Sequence, residues 1–306
     1  MNVGDLDSAA LAQRLHGGGL RVRTGPLVAS VRSRLPQVAR GLALHYLEHP
    51  LEADDGFADF HVCVERPHGI RRWIDPQVVF HYDDTQPFTP MRGDQGFALL
   101  EWGLNWCVSS HCHQYLIVHA AVLERGGRAL ILPAPSGSGK STLCAALVFR
   151  GGWRLLSDEM ALLDPATGCL MPLPRPLSLK NDSIDLIRAI APTAVFGDEV
   201  HETAKGRIVH VRPPADAVAQ AMRPALPAWV VLPRFVAGMA AHLEPLSRAR
   251  AFMALVDNSF NYEVHGRRGF AALAGLIDRS ACFSFSYANL GEAVAVLDRL
   301  AAAPTA

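Results

Sequence analysis

The sequence predicts an α/β fold, a nucleotide-binding core preceded by a small strand-rich α+β unit, and three observations carry that reading. An apolar run, Arg128-Ala129-Leu130-Ile131-Leu132, leads through the glycine-rich loop APSGSGKS at 134–141 into a stretch of helical spacing at 142–148. A second apolar run, WRLLS at 153–157, ends on two adjacent acids, Asp158 and Glu159. From His113 onward, strand-like and helical segments alternate.

Taken in order, residues 1–19 read as a short helix closed by Gly17-Gly18-Gly19, followed by strands at 20–23 and 27–33. Residues 35–46 have helical spacing, with Val38, Leu42 and Tyr46 on one face. Residues 57–64 and 73–82 alternate as strands do, with Pro67-His68-Gly69 as the turn between them. A loop with Pro87, Pro90 and Gly93 precedes a helix at 94–112, in which Phe97, Trp102 and Trp106 recur at helical spacing. The division expected is therefore a unit at 1–93 and a catalytic-type unit at 94–306, whose last third holds strands at 227–235 and 282–287 and helices at 247–260 and 291–300.

Half of the 306 residues are hydrophobic, enough for a sizeable core. A formal net charge of zero argues against nucleic acid or an anionic membrane as the main partner. No apolar run approaches the ~20 residues of a membrane span, and Asp5 and Asp7 stand where a secretory signal would carry basic residues. Six scattered cysteines show no paired framework. A cytoplasmic protein is the expectation.

The loop chemistry follows from residue type. Gly137 and Gly139 let successive N–H groups turn inward, and the helix that follows adds partial positive charge for phosphate. Ala134, Pro135, Ser136, Gly137, Ser138, Gly139, Lys140, Ser141 and Thr142 form the expected nucleotide cradle. Lys140 is expected to reach the β- and γ-phosphates from a solvent-facing position, and Ser141 to hold Mg²⁺. Ala134 replaces the first glycine of the motif, which requires a negative φ there. Asp158 and Glu159 fit a metal ligand and a base for an acceptor hydroxyl, because successive residues of a strand point opposite ways. A solvated acidic turn is the bland alternative.

With FALLEWGLNWC, HQYLIVHAAVL, APSGSGKSTL, LLSDE, PLPRPLSLKN and VHVRPP in this order, the chain resembles the HPr kinase/phosphorylase-like P-loop kinases, and most closely the HprK-related kinase A group. The likeness to the HPr kinase catalytic domain covers roughly 113–220. It implies ATP and Mg²⁺ as cofactors, with Ser141, Asp158 and Glu159 at the metal. It also implies a γ-phosphoryl transfer to a serine hydroxyl of a protein or peptide. By the same resemblance Asp158 activates the acceptor, Glu159 is a second acid, and His119 lies near the phosphate. Arg175 and Arg212 belong to substrate-side and mobile segments, and a homo-oligomer stays open. The chain departs from the family after Arg212, where Pro213-Pro214-Ala215-Asp216 replaces the segment tied to the phosphorylase reaction. Its first unit also differs, so neither that reaction nor HPr as substrate carries over.

Other readings stay open at this point. His119 also suits a satisfied core histidine, and Arg175 and Arg212 suit surface charges. A small-molecule kinase and a non-catalytic nucleotide switch, with a 198–212 loop ordered by ATP, are the alternative functions. Lys205 and Arg207, flanking Gly206, suit a basic loop closing over phosphate. The cluster Cys107, His111, Cys112 and His113 matches no metal-site spacing, and the trio Glu199, His201 and Glu202 sits in a Gly- and acid-rich segment that reads as loop; both are set aside.

Overall fold

The computed structural model describes residues 1–69, 76–135, 137–203 and 205–303. The chain is mixed α/β. Helix α1 (Ser8–His16) starts where the Asp7 carboxylate accepts from the Ala10 N–H, and ends at the glycine triplet. Strands β1 (Leu20–Thr24) and β2 (Leu27–Ser33), helix α2 (Pro36–His45) and strands β3 (Phe60–Glu65), β4 (Gln77–Tyr82) and β5 (Met91–Arg92) follow. The five strands form one sheet in chain order; β2 and β3 run parallel and the other neighbours antiparallel. The strand expected from Phe57 begins at Phe60, because Asp59 turns back to hold β2 and leaves Phe57 exposed. Part of the strand expected at 73–82, namely 73–75, lies outside the described residues, as does Ser136.

Helix α3 (Gly96–His111) lays Leu99, Leu100, Leu104, Cys107 and Val108 into the core of this sheet. That core runs on into Ile117, Met160 and Leu162 of the second sheet. Phe97 stacks on His45, and Trp106 meets Tyr82 and Phe88 edge-on, so two of the three helical aromatics pack on the first unit.

The second sheet is built from β6 (Leu116–Arg125), β7 (Arg128–Pro133), β8 (Arg154–Ser157), β9 (Met160–Leu163) and β10 (Leu170–Met171), with later strands added. Helix α4 (Lys140–Phe149) joins β7 to β8. Next come β11 (Leu177–Lys180), α5 (Asp182–Ile190), β12 (Val200–Thr203), β13 (Gly206–Val211) and α6 (Ala215–Ala219). The chain closes with β14 (Leu226–Phe235), β15 (His242–Pro245), α7 (Arg248–Asp257), α8 (Tyr262–Asp278), β16 (Ala281–Tyr287) and α9 (Leu290–Ala302). The large sheet runs β10-β9-β6-β7-β14-β16-β15, with β8 also on β6. β7, β14 and β16 are parallel, while β6 is antiparallel to β7, β8 and β9.

Both faces of this sheet are covered, which is why β6 and β7 read as unbroken apolar runs. On one face Ala121, Leu123 and Leu132 meet α4, α5 and α9; on the other Ala120, Val122 and Ile131 meet α7 and α8. The 198–212 segment, expected as a mobile loop, is in part a hairpin of β12 and β13. Ile208, Val209, His210 and Val211 are buried, and β13 pairs with β11. Among the described residues no helix is long and apolar enough to cross a membrane.

Candidate functional site

The glycine-rich loop leaves the end of β7 and enters α4 through two left-handed glycines, Gly137 at φ 86° and Gly139 at φ 88°. Gly139 is also crowded: a Cβ there would stand 2.8 Å from the Tyr287 hydroxyl, which donates to the Gly139 carbonyl at 3.2 Å. Ala134 is buried and has no positive φ, as its Cβ requires. The first N–H groups of α4 have no helical partners, and Pro135, Gly137, Gly139, Ser141 and Thr142 of the loop and helix start line a cleft of about 950 Å³.

Lys140 corrects one expectation. It lines this cleft, yet it is 5% exposed, and its ammonium has no hydrogen-bond partner. Burial pulls its pKa below the usual lysine value, against the opposing pull of Asp158 and Glu159. The cation is therefore buried in the lining of the cleft rather than solvent-facing.

The two acids separate, as adjacent residues leaving a strand should. Asp158 follows the last residue of β8; the acceptor-activating role that the resemblance implies needs it open to the cleft, but it is 5% exposed. Its Oδ2 accepts the Ser178 N–H at 3.1 Å, which draws the side chain inward beneath α4, and Oδ1 has no partner. Burial, and then the neighbouring Glu159 charge, push its carboxyl up to about 6, with Lys140 and the nearby Ser141 hydroxyl acting the other way. Glu159 is the acid that lines the cleft. Its Oε2 accepts from the Asn105 amide at 2.5 Å and its Oε1 lies 3.9 Å from the Lys180 ammonium. Burial raises its pKa, but Lys180, Lys140, Lys205 and His119 outweigh that and hold it below the usual glutamate value.

His119 lines the same cleft from β6, tilted against Phe260 at 5.9 Å between ring centres. Burial and then Lys140 pull its pKa down to about 4, so it is neutral at pH 7. Lys180 and Lys205 complete the cationic wall, Lys205 with its ammonium 5.8 Å from the Trp102 ring. Arg207 is not beside it; it pairs with Asp185 and Glu199 instead.

The two arginines do not reach the cleft. Arg175 is buried against Glu101 at 2.7 Å, with further bonds to the Glu101 carbonyl, the Asn105 carbonyl oxygen and Tyr46. Its charge is consumed by that carboxylate. Arg212 donates to the Leu44 carbonyl at the end of α2. Glu199 and Glu202 bind Arg188 and Arg92, Cys107 and Cys112 are buried free thiols, and His111 stacks on Tyr82. Among the described residues no three His, Cys, Asp or Glu converge as a metal site.

Four buried polar atoms around the loop lack partners: Ser138 Oγ, Lys140 Nζ, Asp158 Oδ1 and Ser178 Oγ. Buried polar groups are ordinarily satisfied, so an unpaired set of this kind fits a polar ligand. Lys140 and Ser138 suit an anion such as phosphate. Ser141 and Asp158 suit a divalent cation that takes its remaining ligands from phosphate and water. Asn105 of α3, Ser178 and Lys180 of β11 and Tyr287 of β16 escaped the sequence reading because their elements have no fixed spacing to the loop. Only the chemistry of FALLEWGLNWC and PLPRPLSLKN hinted at the first three. In comparisons with known proteins, no family model matches the chain and no curated protein is similar to it.

Proposed function

We propose that this chain is an ATP- and Mg²⁺-dependent phosphotransferase of the HPr kinase type. It hands the γ-phosphoryl group to a hydroxyl, a serine of a protein or peptide. The unpaired, buried Lys140 ammonium, in the lining of a cleft that also holds the start of α4, is the observation that carries this reading. The loop N–H groups and Lys140 would bind the triphosphate, and Ser141 with Asp158 would hold the metal. Mg²⁺, when bound, neutralises phosphate charge as the group transfers. Glu159 orients the acceptor hydroxyl and takes its proton, because it is the acid that faces the cleft. Lys180 and Lys205 stabilise charge on the transferring group, and neutral His119 adds hydrogen bonding without charge.

The acceptor partner is a protein or peptide in the cytoplasm, with neither nucleic acid nor membrane required. The alternatives, a metabolite hydroxyl or a nucleotide-driven switch without transfer, are separated by one experiment. Mg·ATP affinity is measured by calorimetry, and label transfer from γ-labelled ATP to proteins of the source lysate and to its metabolite fraction is followed in parent, Glu159→Gln and Lys140→Ala. A labelled protein band that falls about 10²–10⁴-fold in Glu159→Gln supports the reading. A parent that binds no Mg·ATP overturns it.

A further inference from the structure

We propose that Asn105 of α3 is a positioning residue for Glu159, so that the helix packed on the first sheet supplies part of the phosphotransfer centre. This inference rests on the function proposed above.

The donor and acceptor chemistry fixes the arrangement. Arg175 has only donors, and its Nη1 donates to the Asn105 carbonyl oxygen at 2.8 Å. The Asn105 amide nitrogen is thereby turned the other way, where it donates to Glu159 Oε2 at 2.5 Å. An ionised carboxylate only accepts, so the contact favours Glu159 charged and in one rotamer. Arg175 is held in turn. Its Nη2 donates to the Glu101 carboxylate at 2.7 Å and to the Glu101 carbonyl at 2.9 Å. The other oxygen of Glu101 accepts from the Tyr46 hydroxyl at 2.6 Å.

The series Tyr46, Glu101, Arg175, Asn105, Glu159 thus runs from α2 through α3 to the cleft, and every link has one donor and one acceptor. Glu159 is also faced by Lys180 from β11, Lys140 from α4, Lys205 from the β12–β13 turn and His119 from β6. The three lysines would draw the carboxylate toward the phosphate side. The Asn105 contact is the one that holds its second oxygen back toward α3, leaving Oε1 for an incoming hydroxyl. Arg175 therefore serves the site at second hand, through Asn105, rather than at the phosphate.

The test uses the full chain in Asn105→Ala, Glu159→Ala and the double variant, with Asn105→Leu as the isosteric second choice; Asn105 is mid-helix, so alanine suits it. Slow ATP hydrolysis, with water standing for the acceptor, gives kcat, and calorimetry gives Mg·ATP affinity. Asn105→Ala should lower kcat about tenfold to a hundredfold with affinity unchanged. In the Glu159→Ala background the same change should cost nothing, because groups acting as one unit are not additive. In ¹⁵N spectra of the ligand-free protein, the Asn105 side-chain amide protons should be shifted downfield, and Glu159→Ala should move them back. Costs that multiply in the double variant, a kcat within about twofold of the parent, or an amide signal indifferent to Glu159→Ala overturns the inference. A parent that neither binds nor hydrolyses ATP removes the proposed function instead, and the amide signal still decides whether Asn105 holds Glu159.

Discussion

Asp158 and Glu159 are neighbours in the chain and opposites in environment. The first is turned under α4, with its carboxyl pushed up to about 6, and the second faces the cleft, held below the usual glutamate value by three lysines and His119. A sequence that ends a buried strand on two acids thus obtains two carboxyls of different character from one peptide unit.

Asp158→Asn should stabilise the ligand-free protein at pH 8 and not at pH 4. The folded carboxyl is raised to about 6 from the ordinary aspartate value of 3.8, so between those values the native state holds a proton that the unfolded state has lost. Stability contributed at this site therefore falls as pH rises through that window, by at most about 3 kcal/mol. Asparagine keeps the acceptor for the Ser178 N–H and has no charge to bury. Denaturant melts at the two pH values measure the difference, and equal stability of parent and variant at pH 8 would contradict the placement of Asp158.

Lys140→Met should lose Mg·ATP binding without loss of stability. The parent buries an ammonium with no hydrogen-bond partner, an unfavourable state that methionine relieves at similar volume. Calorimetric affinity should fall at least about 100-fold, as expected when a charged hydrogen-bonding partner is removed. The melting temperature should hold or rise. A variant that binds like the parent would place the phosphate elsewhere.

Gly139→Ala should be severe for two independent reasons. The backbone is left-handed there, at φ 88°, and the new methyl would stand 2.8 Å from the Tyr287 hydroxyl. Tyr287→Phe in the same chain removes the clash but not the backbone strain, about 1 kcal/mol. Nucleotide affinity should therefore recover only in part. Full recovery in the double variant would show that the φ requirement is unimportant.

Acid should unfold the ligand-free protein with uptake of several protons. His45 is held down to about 3, and His49, His119 and His210 to about 4, in each case first by burial. Between the ordinary histidine value of 6.5 and those values the unfolded chain binds protons that the native state refuses, so stability is lost as pH falls. Asp158 works in the opposite direction over part of this range. The pH slope of stability between 6.5 and 4 checks this; a flat profile would mean these imidazoles titrate freely in the folded state.

Local physics made much of the molecule legible. The glycines of the loop, the apolar runs of β6, β7 and β14 and the spacing of α2, α3 and α9 each announce their element within one stretch of chain. Helix α5 and the β12–β13 hairpin escaped notice. The hairpin is held by the pairing of β13 with β11, which no local pattern records. In α8, several glycines dilute the helical signal, and Gly266 has a non-helical φ of 50°. For the site, residue type identified the loop, Lys140 and the acid pair. It did not tell which acid faces the cleft, because that depends on the Ser178 N–H arriving from β11. Nor did it tell that Arg175 is neutralised by Glu101, since both partners lie 74 positions apart.

The continuous apolar cluster that joins Leu99 and Leu104 of α3 to Ile117, Met160 and Leu162 of the larger sheet bears on how the chain melts. Two bodies with separate cores can lose structure one after the other, whereas a shared core obliges them to fail together. Calorimetry should accordingly record one endotherm whose van't Hoff and calorimetric enthalpies agree, and partial proteolysis should find no long-lived fragment corresponding to either sheet alone.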